Sequence, residues 1–135
     1  SIERSVRTMN DMLMEIYNKL ATSTIIDNKR IKFYETPENM DLNSAPFIVV
    51  SPLAPPEPSY YGSDDELAME MTYQVNVEAT KRMKAKEVQL EVKKLLKQLG
   101  FSQLTGGLDT YFKETKRYVD ARRYIYVSDI YETDY

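Results

Sequence analysis

The chain has 135 residues, a net charge of −3 at pH 7, and neither cysteine nor histidine. This length suits one domain with a single core. The missing residue types exclude disulfides, thiolate and serine–histidine nucleophiles, and the usual zinc ligands. No apolar run approaches the roughly 18 residues of a membrane span, so we expect a soluble, unsecreted protein without a membrane partner.

Charges are segregated along the sequence. No lysine or arginine occurs between Phe33 and Thr80, where nine carboxylates lie, whereas Lys81 to Arg123 contains twelve bases and five acids. The local sums are therefore −9 and +7. If the two segments lie on different faces, copies of the chain attract one another head to tail. A repeated head-to-tail contact gives a closed ring or an open filament, so the charge pattern indicates assembly.

The first half of the chain is predicted to contain one helix and two strands before a proline-rich segment. Apolar residues at three- and four-residue steps predict a helix that ends near Ala21: Ile2, Val6, Met9, Leu13, Ile16, Tyr17 and Leu20. The run Ile31 to Glu35 has the composition of a short strand, and Pro37 to Ser44 ends it. The continuous apolar run Pro46 to Ser51 predicts a buried strand, with a central place in the sheet as one option.

Four prolines between Pro52 and Pro58 precede a tyrosine-rich, acidic run that ends at Glu66. Since proline fixes φ and lacks an N–H, we expect Pro52 to Pro58 to be extended and stiff, without regular secondary structure. Two interpretations stay open: a plain surface loop, or an interface arm over residues 52–66 whose tyrosines supply contact area. The candidate contact residues of this arm are Pro55, Pro56, Tyr60, Tyr61, Asp64, Asp65 and Glu66.

The middle of the chain predicts a long strand followed by a second helix. Leu67 to Thr80 alternates between apolar and polar residues, which predicts a strand with one buried face. Methionines and a tyrosine on that face are interpreted as core, since this is far commoner than a cofactor site. Apolar spacing from Ala85 to Leu99 predicts the helix, which Gly100 caps after three lysines in its last turns: Lys93, Lys94 and Lys97.

The C-terminal part is predicted to form a hairpin. Gly106 and Gly107 predict a turn, Leu108 to Lys113 a strand, Glu114 to Arg117 a charged connection, and Tyr118 to Ile130 a long final strand. Because both faces of the final strand carry apolar groups, the strand is either central in a sheet that is covered on both faces, or it has one face in the core and the other in an interface.

The order helix, three strands, helix, two strands predicts an α+β fold in which two helices pack on a mainly antiparallel sheet. We expect one domain over residues 1–135, with the arm at 52–66. A short acidic tail is expected at 129–135.

No catalytic, cofactor or metal site is predicted. The carboxylates from Asp64 to Glu66 suit a hard cation, but three adjacent acids are usually a solvated turn. Glu35, Glu38 and Asp41 offer paired carboxylates without the apolar setting that raises a pKa, so loop polarity explains them better. The four glycines do not have the spacing of a phosphate-binding loop.

Nucleic-acid binding is the stronger alternative, because the second helix and the hairpin are rich in lysine and arginine. Against it, Glu87 and Glu91 interrupt the helix, the chain is acidic overall, and no nucleic-acid-reading motif is present. Pairing with the acidic segment of another copy of the chain accounts for these lysines and arginines as well as DNA binding does. The candidate contact residues of this half are Lys93, Lys97, Arg122, Arg123, Tyr124 and Tyr126.

The ordered elements resemble tail terminator, or tail-completion, proteins of long non-contractile-tailed phages, and especially small tail proteins from phages and prophages of Gram-positive bacteria. The features that carry the resemblance are the N-terminal helix, the buried strand ending Val49-Val50-Ser51-Pro52, the alternating strand Met69 to Thr80, the lysine-rich helix closing at Leu99-Gly100-Phe101, and the tyrosine-rich last strand.

The resemblance implies a hexameric ring that caps the tail tube, stops its elongation and joins the tail to the head. The implied partners are other copies of the chain, the major tail tube protein and head–tail connector proteins, with phage DNA passing through without specific contacts. The implied location is the virion tail or neck, after assembly in the host cytoplasm. Asp64 to Glu66 are candidates for the channel wall, although a solvated turn explains them equally well. A different neck, connector or head-completion protein remains an alternative.

Overall fold

A computed structural model describes residues 12–34, 46–53, 57–60 and 67–128. Within these ranges the chain folds as α+β, with two helices and a six-stranded mixed sheet, which confirms the predicted class. Helix α1 covers residues 12–20 of the described chain. The elements that follow are a 3₁₀ turn Asn28–Arg30, β1 Ile31–Phe33, β2 Phe47–Pro52, β3 Glu57–Tyr60, β4 Leu67–Ala79, α2 Arg82–Leu99, β5 Ser102–Phe112 and β6 Arg117–Ser128.

The sheet order is β1-β2-β4-β6-β5, with β3 beside β4. β1 and β2 are parallel, and all other pairs are antiparallel, so the sheet is mainly antiparallel as predicted. β2 lies between β1 and β4, in the interior of the sheet. One edge of β4 pairs with β6, and the other pairs first with β3 and then with β2. β3 and β2 therefore lie end to end along the same edge of β4.

Both helices pack on the same face of the sheet. The inward residues of β4 alternate as predicted, and Val75 and Val77 are fully buried. Ile16 and Leu20 of α1 join them, as does Val92 of α2. This face holds the main apolar core, so the interpretation of the β4 stripe as core is confirmed.

The opposite face of the sheet is also buried at its centre. Phe47 and Val49 of β2 are 0% and 3% exposed, and Val119 of β6 is buried as well. The Arg117 guanidinium lies 5.6 Å from the centroid of the Phe47 ring. Its Nη1 donates to Glu78 Oε1 at 3.3 Å. Burial on both faces explains why β2 is a continuous apolar run rather than an alternating one.

The prediction that Pro52 to Pro58 has no regular structure is wrong in part. Pro52 ends β2, and Glu57–Tyr60 forms β3, which pairs with Leu67–Glu70 of β4. Among the described residues β4 is the only neighbour of β3, and an edge strand tolerates a proline because one row of its N–H groups is unpaired. Residues 54–56 and 61–66 of the predicted arm lie outside the described residues, as does the tail at 129–135.

The prediction of a turn at Gly106 and Gly107 is also wrong, because β5 begins at Ser102 and contains both glycines. The register shifts from Gln103 opposite Tyr124 to Gly107 opposite Arg122, so three residues of β5 stand against one of β6. This is a β-bulge, which a left-handed backbone accommodates. Gly107 has φ +133°, and a Cβ there would clash with the Ala121 carbonyl oxygen.

We expect Gly107→Ala to destabilise the fold more than Gly106→Ala. Both residues have positive φ, which costs a side chain about 1–2 kcal/mol. Only at Gly107 would the added methyl group collide with backbone atoms. We expect this overpacking to add roughly 1–3 kcal/mol to the loss of stability. Urea unfolding of the two variants measures the difference. Equal losses of unfolding free energy would contradict the close approach of β5 to β6.

Candidate functional site

The lysines and arginines of α2 are divided between its two flanks. Arg82, Lys86, Lys93 and Lys97 recur at steps of four, seven and four, which places them on one side of a helix. We call these four residues the basic flank. Lys86 Nζ donates to Asp120 Oδ2 of β6 at 2.6 Å, and Lys93 lines a groove with β5. The basic flank therefore faces the β5 edge of the sheet.

Glu87 and Glu91 lie on the other flank of α2. Ser23 Oγ, just after α1, donates to Glu91 Oε2 at 2.6 Å. Lys84 Nζ forms an exposed ion pair of 3.4 Å with Glu87. The expectation that the two glutamates interrupt the basic surface of the helix is therefore wrong, because they lie on the flank that bonds to Ser23 through Glu91, while the basic flank faces β5.

A buried carboxylate lies where α2 meets β5 and β6. The Asp120 side chain is 1% exposed and accepts from Lys86 Nζ at 2.6 Å and from Arg122 Nε at 2.8 Å. Asp109 of β5 stands directly opposite Asp120 in the sheet, and Lys86 bonds to both carboxylates. We call these four residues the charge cluster. Its two bases balance its two acids, so the buried charge is compensated.

The pKa shifts in the charge cluster favour the charged forms. The hydrogen bond from Lys86 lowers the pKa of Asp109, against the effect of desolvation. Burial alone would lower the pKa of Lys86, but its hydrogen bonds to Asp109 and Asp120 outweigh burial and raise it. The hydrogen bond to Asp120 raises the pKa of Arg122. These shifts move the pKa values of all three groups further from neutral pH, which suits ion pairing rather than proton transfer.

A buried hydrogen-bond network next to the cluster fixes the rotation of α2. Gln89 is 3% exposed, and its Nε2 donates to Val75 O at 3.1 Å and to Asp120 O at 2.8 Å. Tyr124 Oη donates to Gln89 Oε1 at 2.9 Å, and burial raises the pKa of this phenol. Both polar ends of Gln89 are thus satisfied by β4 and β6, and the basic flank is held toward β5.

An open groove of about 570 Å³ runs between the basic flank and β5. Its walls are Lys93, residues 103–109 with the bulge, and Arg122. Arg122 is already paired with Asp120. Within the described part of the chain, no carboxylate lies in ion-pair distance of Lys93 or Lys97. The groove therefore offers positive charge to an anionic group from outside.

The structure brings some of the predicted contact residues together. Lys93 and Arg122 both line the groove, and Lys97 lies one turn further along α2. Arg123 is exposed on the opposite face of β6, where its Nε donates to Gln74 Oε1 at 3.4 Å. Three of the four predicted basic contacts thus share the groove side of the molecule.

The predicted tyrosine contacts differ from this pattern. Tyr124 is 1% exposed, so its side chain belongs to the core and not to a contact surface. Tyr126 is half-buried, with its ring centroid 5.4 Å from that of Phe101. Tyr60 ends β3. The remaining predicted arm residues lie outside the described residues: Pro55, Pro56, Tyr61, Asp64, Asp65 and Glu66.

Sequence reasoning missed the charge cluster and Gln89. A signal was available for Asp120, which alternates with Tyr118, Arg122 and Tyr124 on the inward face of β6. Gln89 likewise occupies an apolar position of α2. Polar residues on buried faces need partners, but those of Gln89 lie 14 to 35 residues away in the chain. Of the partners of Asp120, Arg122 is two residues away and Lys86 is 34 residues away.

In the described ranges, no three or more acidic side chains are grouped so that they could hold a metal ion. No helix described there has the length and hydrophobicity of a membrane span. The chain matches no protein-family model and no curated protein. The fold and the groove are therefore the basis for a functional proposal.

We expect Asp120→Asn to destabilise the fold far more than Asp109→Asn. Removing one partner of a buried ion pair costs roughly 3–5 kcal/mol, because it leaves uncompensated charge. Asp109 is 49% exposed, where an ion pair contributes about 0–1 kcal/mol. Unfolding of both variants in guanidinium measures the loss of unfolding free energy. Similar losses in the two variants would contradict the role of Asp120 as the buried carboxylate that pairs with both bases.

Proposed function

We propose that the protein is a structural assembly protein, a tail terminator of a long non-contractile-tailed phage. Copies of the chain, six by analogy with the resembled family, form a ring on the end of the tail tube. The ring stops tube elongation and presents the surface to which the head connector docks. The exposed surface then serves to bind other copies of the chain rather than to catalyse a reaction.

One observation carries the proposal: the base-free part and the base-rich part of the sequence lie on different sides of the fold. β2, β3 and β4 come from the segment that has acids and no bases. The basic flank of α2 faces β5, which is the far edge strand. A subunit with unlike charges on different sides favours head-to-tail contacts over symmetric pairs, because like-charged sides repel. Head-to-tail contacts that close form a ring.

The element order supports the more specific assignment to the tail terminator family. The long alternating strand, the lysine-rich helix ending at Gly100 and the tyrosine-rich last strand carry that likeness. The same features suit another neck, connector or head-completion protein. The two assignments differ in the binding partner, which is the tail tube for a terminator and the portal side for the alternative.

Nucleic-acid binding is the second candidate function, and the basic flank favours it. Arg82, Lys93 and Lys97 lie on one side of α2 and resemble a surface for phosphate contacts, while Lys86 of the same flank is engaged by Asp109 and Asp120. This candidate requires affinity for duplex DNA that falls steeply with salt. Fluorescence anisotropy with a labelled duplex, at several salt concentrations, measures it.

We expect the purified protein to form rings near six copies that weaken as salt is raised, because salt screens the attraction between unlike edges. Light-scattering chromatography at low and high salt gives the mass, and negative-stain microscopy gives the shape. Co-sedimentation with purified tail tubes and with connector particles tests the partners. A protein that stays monomeric with both would contradict an assembly function, and binding to the connector alone would favour the alternative neck component.

A further inference from the structure

We infer that the groove between α2 and β5 is a binding site for a phosphate group. The phosphate belongs either to a small compound in solution or to the backbone of a nucleic acid. The inference goes beyond the proposed function, because it assigns a ligand to a single chain and requires no second copy. It rests on the groups that line the groove beside the bulge of β5.

Hydrogen-bond donors from three elements line this part of the groove. Lys93 comes from α2, Gln103 and Thr105 come from β5, and Arg122 comes from β6. Among the described residues, Lys93 has no carboxylate within ion-pair distance. The side chains of Gln103 and Thr105 likewise form no hydrogen bond with the described part of the chain. All three side chains can therefore donate to a ligand.

Arg122 can contact a second anion while it holds Asp120. Its Nε and Nη2 donate to the two carboxylate oxygens of Asp120 at 2.8 Å and 3.3 Å. The remaining nitrogen, Nη1, bonds to no residue that the structure describes. A guanidinium carries five N–H donors in a rigid plane, so one edge can pair with a carboxylate while another meets a phosphate. The Arg122 side chain is 34% exposed and lines the groove, so a ligand can reach this second edge.

The bulge adds backbone donors to the same place. Residues 104–106 have no partner in β6, because the register passes from Gln103 directly to Gly107. The extra residues of a bulge stay outside the ladder, so β6 does not use their N–H groups. A Cβ added to Gly106 would meet only Arg123 Nη1, at 3.8 Å. A ligand can therefore approach the backbone closely at Gly106.

The carboxylate that lines the groove is already compensated. Asp109 bonds to Lys86, which lies seven residues before Lys93 on α2. Seven residues span about 10 Å along a helix, so Asp109 is engaged well away from the Lys93 end. Three bases and two acids surround the groove and leave a net charge of +1: Lys86, Lys93, Arg122, Asp109 and Asp120. The excess lies on Lys93, which matches the single negative charge of a phosphodiester.

This arrangement suits a phosphate better than a carboxylate. A phosphate group presents three strong acceptor oxygens in different directions, whereas the two oxygens of a carboxylate lie in one plane. Here the donors come from α2, β5 and β6, and they surround the ligand position on more than one side. The groove is open and has a volume of about 570 Å³. It therefore has room for the larger molecule that carries the phosphate.

Replacing Lys93 tests the site. We expect Lys93→Gln to weaken the binding of pyrophosphate or of a short DNA duplex roughly tenfold or more, because a charged hydrogen bond is lost. Thr105→Val removes one hydroxyl donor and should cause a smaller loss of roughly threefold. Lys94→Gln is the matched control, because Lys94 is exposed at the next position of α2 and does not line the groove. Isothermal titration calorimetry at fixed salt gives the dissociation constants, and thermal unfolding checks that each variant folds.

Two results would support the site and identify the source of the phosphate. Binding of pyrophosphate through Lys93, without binding of the duplex, would assign the groove to a small phosphate compound. Binding of the duplex through Lys93, with displacement by pyrophosphate, would assign it to a nucleic-acid backbone.

Three results would overturn the inference. Equal losses in Lys93→Gln and Lys94→Gln would show a diffuse effect of charge. Binding of poly-glutamate as tightly as the duplex would assign the groove to an acidic polypeptide. The third is that neither pyrophosphate nor the duplex binds. Sedimentation velocity measures ring formation separately, so failure of the phosphate site and failure of the proposed function give different results.

Discussion

The ion pairs of Asp120 determine how α2 lies across the sheet. Apolar contacts alone allow a helix to rotate or slide, because they are not directional. Lys86 ties the helix to the buried carboxylate, and Gln89 bonds to backbone carbonyls of β4 and β6. Buried ion pairs of this kind add little net stability compared with apolar packing, but they are costly to break. Their effect here is on orientation: one rotation of α2 satisfies all of these groups.

That orientation divides the surface of α2 into two unlike flanks. Glu91 meets Ser23 on the side of α1, while Lys93 and Lys97 stay unpaired within the described chain on the side of β5. β4 and β6 then separate β5, on this positive side, from β2 and β3, which come from the segment without bases. The fold thus keeps the base-rich and the base-free parts of the sequence on different sides of the sheet, which is the physical argument for the proposed ring.

Much of the fold was predictable because its signals are local. The strict alternation of β4, the continuous apolar run of β2, and the spacing and cap of α2 all depend on residues close in sequence. The α+β class and the mainly antiparallel sheet followed from the order of these elements. The predicted basic contacts Lys93, Lys97 and Arg122 also proved to share one side of the molecule, since a helical period and a strand period place them there.

The missed features depend on contacts between distant parts of the chain. β3 contains Pro58 and is a strand only because β4 offers it an edge. Gly106 and Gly107 resemble a turn in sequence, but pairing with β6 makes them part of a bulge. Lys86, which ties Asp120 to α2, comes from 34 residues earlier in the chain, so no local pattern reveals that pair. The predicted contacts of the arm at 52–66, which run from Pro55 to Glu66, stay predictions.

Cysteine cross-linking tests the head-to-tail contact most directly, because the chain has no cysteine of its own. Ser59→Cys marks edge strand β3, and Thr105→Cys marks the bulge that lines the groove. On mild oxidation, each single variant alone should stay uncross-linked, while an equimolar mixture should give a disulfide-linked pair and the double variant a ladder ending in one closed ring. Dimers formed by either single variant alone would show that like edges meet, and that result would contradict the account.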